Sequence, residues 1–399
     1  MAVIKDCNLS DEVEEEEPGE VIESAPPLKV GEEREINTSL GLKKKLVKQG
    51  HGFETPQFGD EVTVHYVSRR MDGNKLDYST RDKGIPISFT LGDGQVMYGL
   101  DYGIVTMKRG EVALFTLPSG TVGADDVSPD FNIQFEVELL SWIVVVDICK
   151  DGGIIKKVLS RGERNEQPGD LDEVTVKYQV MLDDGTVIAK TPEEGVEFYV
   201  KDGHFCPGLP KALKTMKRGD QVKLIIQPQY AFGEHKLTAD NRFSIIPVNS
   251  VLSFDLELVS FKPVIDVTGD TKVLKKILKE GEGSHVAEEG STVFIKYTAR
   301  LEDGTIFEKI GSDENEPLKF VVDEEQVVAG LDRAVATMKK GELASVTVQP
   351  GYGYGSTEVK RELAAIPPSS ILVYEIEMVD FKKEKSPWEM NSRRRLRQQ

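Results

Sequence analysis

The sequence predicts an α+β chain of three tandem domains, each a bent antiparallel β-sheet with one short helix across its concave face. Three observations predict it. One twelve-residue segment is written three times, as GLDYGIVTMKRG (99–110), GLPKALKTMKRG (208–219) and GLDRAVATMKKG (330–341). An alternating strand and an Asp-Gly pair precede each copy, and a second alternating strand follows it. The TMK(R/K)G portions begin at 106, 215 and 337, and such long periods mean tandem domains, because solenoid repeats run to only ~20–50 residues.

Each element has a local reason. The early strands read DEVTVHY (60–66), DEVTVKY (172–178) and STVFIKY (291–297); Val62, Val64 and Tyr66 alternate with Thr63 and His65, the period of a half-buried strand. Asp72-Gly73, Asp184-Gly185 and Asp303-Gly304 predict hairpins, since both residue types tolerate positive φ. In the third copy Val328, Leu331, Val335 and Met338 form one apolar helical stripe. Gly110, Gly219 and Gly341 suit a left-handed stop at the helix end. The closing strands IQFEVELLSW, LSFDLELVSF and LVYEIEMVDF turn Phe135, Val137 and Leu139 one way and Glu136 and Glu138 the other. Turn chemistry near 142–150 and 261–270 marks linkers. The expected division is a disordered acidic tail (1–39), domains at 40–142, 146–261 and 264–383, and a basic tail (384–399).

With 50 Lys and Arg against 68 Asp and Glu, net charge is −18. That excludes a general nucleic-acid binder, because such a chain repels phosphate. Residues 11–23 hold eight carboxylates and no cation, a composition that cannot offset its ordering entropy. No stretch approaches the ~20 apolar residues of a membrane helix, and the first residues lack a secretory pattern; a cytoplasmic or nuclear location is expected. Cys7, Cys149 and Cys206 make neither a disulfide framework nor C-x-x-C spacing. His204 near Cys206 has no further ligands beside it, so no metal and no cofactor are expected.

The series V-x-V-x-Y, DG, GL…TMK-x-G, YAFG or YGYG, IIP or IPP, and F-x-V-E-L resembles the FKBP-type peptidyl-prolyl isomerase domain, three times over residues 40–382. The whole resembles the large multidomain plant FKBPs, without their tetratricopeptide region, so chaperone docking through one is not expected. The resemblance implies an isomerase acting on X–Pro bonds of client polypeptides in protein folding, with possible macrolide immunosuppressant binding. It also implies a cup of an early tyrosine, a Phe-Asp pair, a Val-Ile pair before a tryptophan floor, a loop tyrosine, an isoleucine and a closing phenylalanine. Carried over, the first copy has Tyr66, Asp77, Val96 and Phe135, with Leu76, Met97 and Leu100 as substitutions and Val122 where the donor tyrosine belongs. The second has Tyr178, Ile246 and Phe254, with Ile188-Ala189 for the pair, Phe205 and Cys206 before Leu209, and Phe232 for the tyrosine. The third is the most complete: Tyr297, Phe307, Glu308, Val327, Val328, Leu331, Tyr354, Ile366 and Tyr374. Leucine replaces the floor in all three, and Trp142 and Trp388 lie outside the cups. That exchange implies prolyl binding weaker by ~1–2 kcal/mol.

Activity is therefore expected to be weak and to reside mainly in the third domain. The alternative is a non-catalytic scaffold or holdase for proline-containing or unfolded segments. The strand tyrosines and the helical stripe also suit ordinary core. Tyr354, between glycines in a loop, fits a packing role or a ligand-facing hydroxyl equally well.

Overall fold

The computed structural model describes residues 26–70, 76–96, 99–118, 132–162, 164–233, 246–311 and 316–383, without the side chains of 70 and 76–78. These residues group into two compact units: one up to Asn165 with Lys177–Glu194 and Cys206–Glu257, the other Glu166–Val176, Gly195–Phe205 and Leu258 onward. The second repeat contributes to both.

In the first unit, β1 (Glu33–Asn37), β2 (Leu42–Lys48), β3 (Glu61–Arg70), β4 (Leu76–Ser79), β5 (Ile87–Thr90), β6 (Val112–Pro118) and β7 (Asn132–Asp147) build the first repeat with α1 (Thr80–Lys83) and α2 (Leu100–Ile104). Pairing runs β1-β2-β6-β7, with β3 between β7 and both β4 and β5. Strand β7 then continues, pairing through Val144–Asp147 with β8 (Ile154–Ser160) of the second repeat. That repeat adds β9 (Glu173–Met181), β10 (Val187–Lys190), β11 (Val196–Tyr199), α3 (Gly208–Leu213), β12 (Gln221–Ile226) and β13 (Leu252–Lys262). Strand β12 lies between β8 and β13, all antiparallel.

In the second unit, β14 (Val264–Asp266), β15 (Val273–Lys279), β16 (Glu282–Val286), β17 (Ser291–Leu301), β18 (Ile306–Ile310), β19 (Leu318–Val321), α4 (Ala329–Val335), β20 (Lys339–Lys340), β21 (Leu343–Val348), β22 (Val359–Lys360), β23 (Ala365–Ile366) and β24 (Leu372–Lys383) form the third repeat. Its main sheet runs β14-β15-β21-β24-β17-β18, with β19 also on β17. Alternation in β17 turns Ser291, Val293, Ile295, Tyr297 and Ala299 inward. Leu331, Ala334 and Val335 of α4 pack on that face with Val346, Ile376 and Met338.

Several recurring letters of the repeated segment now have a structural reason. A Cβ on its opening glycine would stand 2.8 Å from Leu117 Cδ2 at Gly99, 2.9 Å from Ile226 Cγ2 at Gly208 and 2.4 Å from Val348 Cγ1 at Gly330. Only glycine lets each helix start against its neighbouring strand. The leucine and methionine are core, with Leu100, Leu209, Leu331, Met107, Met216 and Met338 all buried. The threonine carbonyl accepts from a buried lysine: Lys44 Nζ at 2.8 Å on Thr106, Lys156 at 2.8 Å on Thr215 and Lys275 at 2.9 Å on Thr337. The acid after the last glycine (Glu111, Asp220, Glu342) accepts the amide of Lys108, Lys217 and Lys339 at 3.0, 2.8 and 3.0 Å.

Several expectations are corrected. The helices end at Ile104, Leu213 and Val335, with right-handed residues next. Gly110, Gly219 and Gly341, at φ 73°, 85° and 73°, instead shape the later turn into a strand. The amides of Gly110 and Gly341 each donate at 2.7 Å to a closing strand, at the Leu139 and Met378 carbonyls. In the Asp-Gly turns only Gly185 and Gly304 are left-handed; Asp184 and Asp303 accept the amides of Thr186 and Thr305. Residues 72 and 73 lie outside the described residues. The first repeat carries a second helix, the single turn α1, because Ser79 Oγ accepts the Asp82 amide and Gly84 closes it at φ 67°. Within the expected 1–39 tail, β1 is ordered: it pairs with β2, setting Glu33 opposite Lys45 and Glu35 opposite Lys43, and Ile36 packs against the core. Residues 1–25 and 384–399 lie outside the described residues. The 142–150 linker is strand through Asp147.

Candidate functional site

In the third repeat β17, β18 and β24 bring three rings together. Tyr297 and Tyr374 lie edge to face with centroids 5.6 Å apart, and Phe307 meets Tyr374 at 6.2 Å. Leu331 and Ile366 belong to the same buried cluster, and Val327, Val328 and Tyr354 pack against it half-buried. Exposure is low: 0% for Phe307 and Ile366, 1% for Tyr374, 2% for Leu331 and 7% for Tyr297. Leu331 thus underlies the cup and presents little open surface.

The polar groups form one connected array. The Tyr297 hydroxyl donates to Glu308 Oε2 at 2.8 Å. Burial, reinforced by that carboxylate, pushes the Tyr297 phenol upward, so it stays a donor. Burial also pushes Tyr374 upward, with Tyr354, Tyr297 and Glu308 adding to it. Arg361 Nε and Nη2 both donate to the Tyr354 oxygen, at 3.1 and 2.6 Å, and Nη1 stands 3.5 Å from Glu308 Oε1. The Arg361 Cζ is 5.3 Å from the Tyr354 ring centroid. This array can offer donors and a fixed field to a polarised amide; it holds no nucleophile arrangement, and among the described residues no cluster suits a metal.

The matching positions of the other two repeats are described in part. In the first, Leu100 and Phe135 are buried and Tyr66 and Val96 pack against the cluster; Met97, the Asp77 side chain and Val122 lie outside the described residues. In the second, Tyr178 and Phe254 meet edge to face at 6.0 Å, Leu209 and Ile246 are buried and Phe232 is half-buried. Cys206 is buried as well, and burial pushes its thiol up to about 12, an inert core thiol.

The sequence reading missed Arg361. It lies in VKRELAAIPP, where no periodicity or motif distinguishes it from neighbouring charges. Only the β22–β23 hairpin carries it to Tyr354.

The model of the FKBP-type peptidyl-prolyl cis-trans isomerase domain matches residues 52–140, 164–259 and 283–379. The chain is 31% identical over 332 residues to the peptidyl-prolyl cis-trans isomerase PASTICCINO1 of Arabidopsis thaliana, covering 78% of this chain and 51% of that protein. It is 31% identical over 291 residues to human peptidyl-prolyl cis-trans isomerase FKBP4, covering 69% of this chain and 59% of that one. The chain thus spans little more than half the length of these relatives. Among solved structures, the three FKBP domains of wheat FKBP73 match with a TM-score of 0.57 and 54% identity, over 60% of this chain and 100% of that one. With three family domains in series and this ring-lined site in the last, the chain belongs to the FKBP-type peptidyl-prolyl cis-trans isomerase family.

Proposed function

We propose that this chain speeds cis–trans exchange at X–Pro bonds of polypeptide clients, at a reduced rate and mainly through its third repeat, assisting their folding. Uncatalysed exchange is slow because amide resonance sets a barrier of ~18–20 kcal/mol. The twisted amide at the top of that barrier has lost resonance and is less polar than the planar one. A dry aromatic wall favours it, and rim donors hold the flanking carbonyls. The observation that carries this reading is the array of Tyr297, Glu308, Arg361 and Tyr354 beside the three rings. The second repeat has Ala189 and Phe232 at the matching positions, and the first has Val122 for Tyr354. The leucine beneath each cup and Glu308 in place of the family's aspartate account for a reduced rate.

A second reading, a non-catalytic holdase for proline-rich or unfolded segments, is favoured by the near-complete burial of Phe307, Ile366 and Tyr374. Exchange of a proline-containing peptide, followed by NMR with the full chain, separates the two. Acceleration over buffer that Glu308→Gln diminishes supports the enzyme. No acceleration, together with suppressed aggregation of an unfolded client, supports the holdase.

A further inference from the structure

We propose that Arg361 is a positioning residue of the third-repeat site, holding the Tyr354 hydroxyl and the Glu308 carboxylate in one array at the rim. The inference rests on the isomerase reading above. The three side chains come from separate pieces of backbone: Glu308 from β18, Tyr354 from the turn after β21, and Arg361 from the loop joining β22 to β23. The Tyr354 ring packs half-buried against the core cluster, and its hydroxyl reaches the rim, where Arg361 meets it. The guanidinium acts as a clamp by its shape: Nε and Nη2 converge on one oxygen while Nη1 faces Glu308. An ammonium has no such fork.

The hairpin that bears Arg361 is anchored without that side chain. Val359 pairs with Ile366, the Arg361 amide donates to Ala364 O at 3.1 Å, and the Leu363 amide donates to Phe307 O at 3.3 Å. Val359 and Ala364 pack against the core cluster. Removing the guanidinium therefore leaves the hairpin seated and takes two donors from the Tyr354 oxygen. An ion pair this exposed adds little to folding stability, whereas a donor displaced by ~1 Å is costly in catalysis.

The test is a double-mutant cycle in the full chain, with kcat/KM for a proline-containing peptide measured for wild type, Arg361→Leu, Tyr354→Phe and the double variant. Each single substitution is expected to lower kcat/KM about tenfold, and the double to be no worse than Arg361→Leu alone, since the hydroxyl that Tyr354→Phe removes is one that Arg361 holds. Arg361→Lys is expected not to restore the rate. Losses that multiply in the double variant overturn the proposal, as does an Arg361→Leu protein with unchanged or raised kcat/KM. Affinity of the same four proteins for a labelled proline-containing peptide is read in parallel. If the wild type is no faster than buffer, the isomerase reading fails, and the affinity cycle decides alone. Non-additive losses of affinity then uphold the clamp; multiplying losses, or no binding, remove it.

Discussion

Lys275 Nζ lies 2.7 Å from Glu342 Oε1, and both side chains are 1% exposed. The same lysine position recurs in each repeat, beside Glu111 and Asp220. Each pair ties an early strand to the turn that ends the repeated segment. Lys275→Met strands a buried carboxylate and is expected to destabilise the third repeat by ~3–5 kcal/mol. Lys275→Met with Glu342→Leu is expected to recover part of that loss but not the bond from the Lys339 amide. Calorimetric melting of the full chain checks this, and equal melting of single and double variants would count against it.

Burial pushes the Lys275 ammonium down despite Glu342. Unfolded lysine then holds its proton to higher pH than the folded residue, so this contribution to stability rises with pH from the depressed folded value toward ~10.4. Denaturant midpoints should show that rise in wild type and a smaller one in Lys275→Met. An unchanged slope would mean that Lys275 titrates as an exposed lysine.

Gly330→Ala drives a methyl to within 2.4 Å of Val348 Cγ1. Overpacking of this kind costs about 1–3 kcal/mol, so the third repeat should melt earlier, and Val348→Ala in the same chain should restore part of the loss. A Gly330→Ala protein that melts like wild type would show that α4 can shift away from β21.

Cys206, with its thiol pushed up to about 12 and a side chain at 4% exposure, should resist iodoacetamide at pH 8.5. Thiolate is the reactive form, so labelling should run on the order of a thousandfold slower than at an ordinary thiol. The raised folded value means that its stabilising share is present below the unfolded thiol's value and is lost as pH climbs through about 12. Peptide mapping should find Cys149, which is half-buried, modified before Cys206; early modification of Cys206 would refute its burial.

Much of the fold was legible because alternation and repetition are written in the chain. Val62, Val64, Phe135, Val137 and Leu139 face inward as their spacing requires. The glycine roles were legible only in part, because both a helix stop and a turn use positive φ, and only tertiary structure places Gly341 beneath the Met378 carbonyl. The burial of Lys44, Lys156 and Lys275 has no local signal in the sequence, because it depends on partners about sixty residues away. Within the site, the ring positions followed from the family resemblance. Arg361 did not, since its role arises from a hairpin crossing and not from any local pattern.

The most direct test compares X–Pro exchange rates for the full chain and its Tyr354→Phe variant, using one proline peptide in a protease-coupled assay. The wild-type rate is expected to exceed that of buffer and to fall about tenfold when the hydroxyl is removed from the rim. A wild type no faster than buffer, or a variant as fast as wild type, would contradict that expectation.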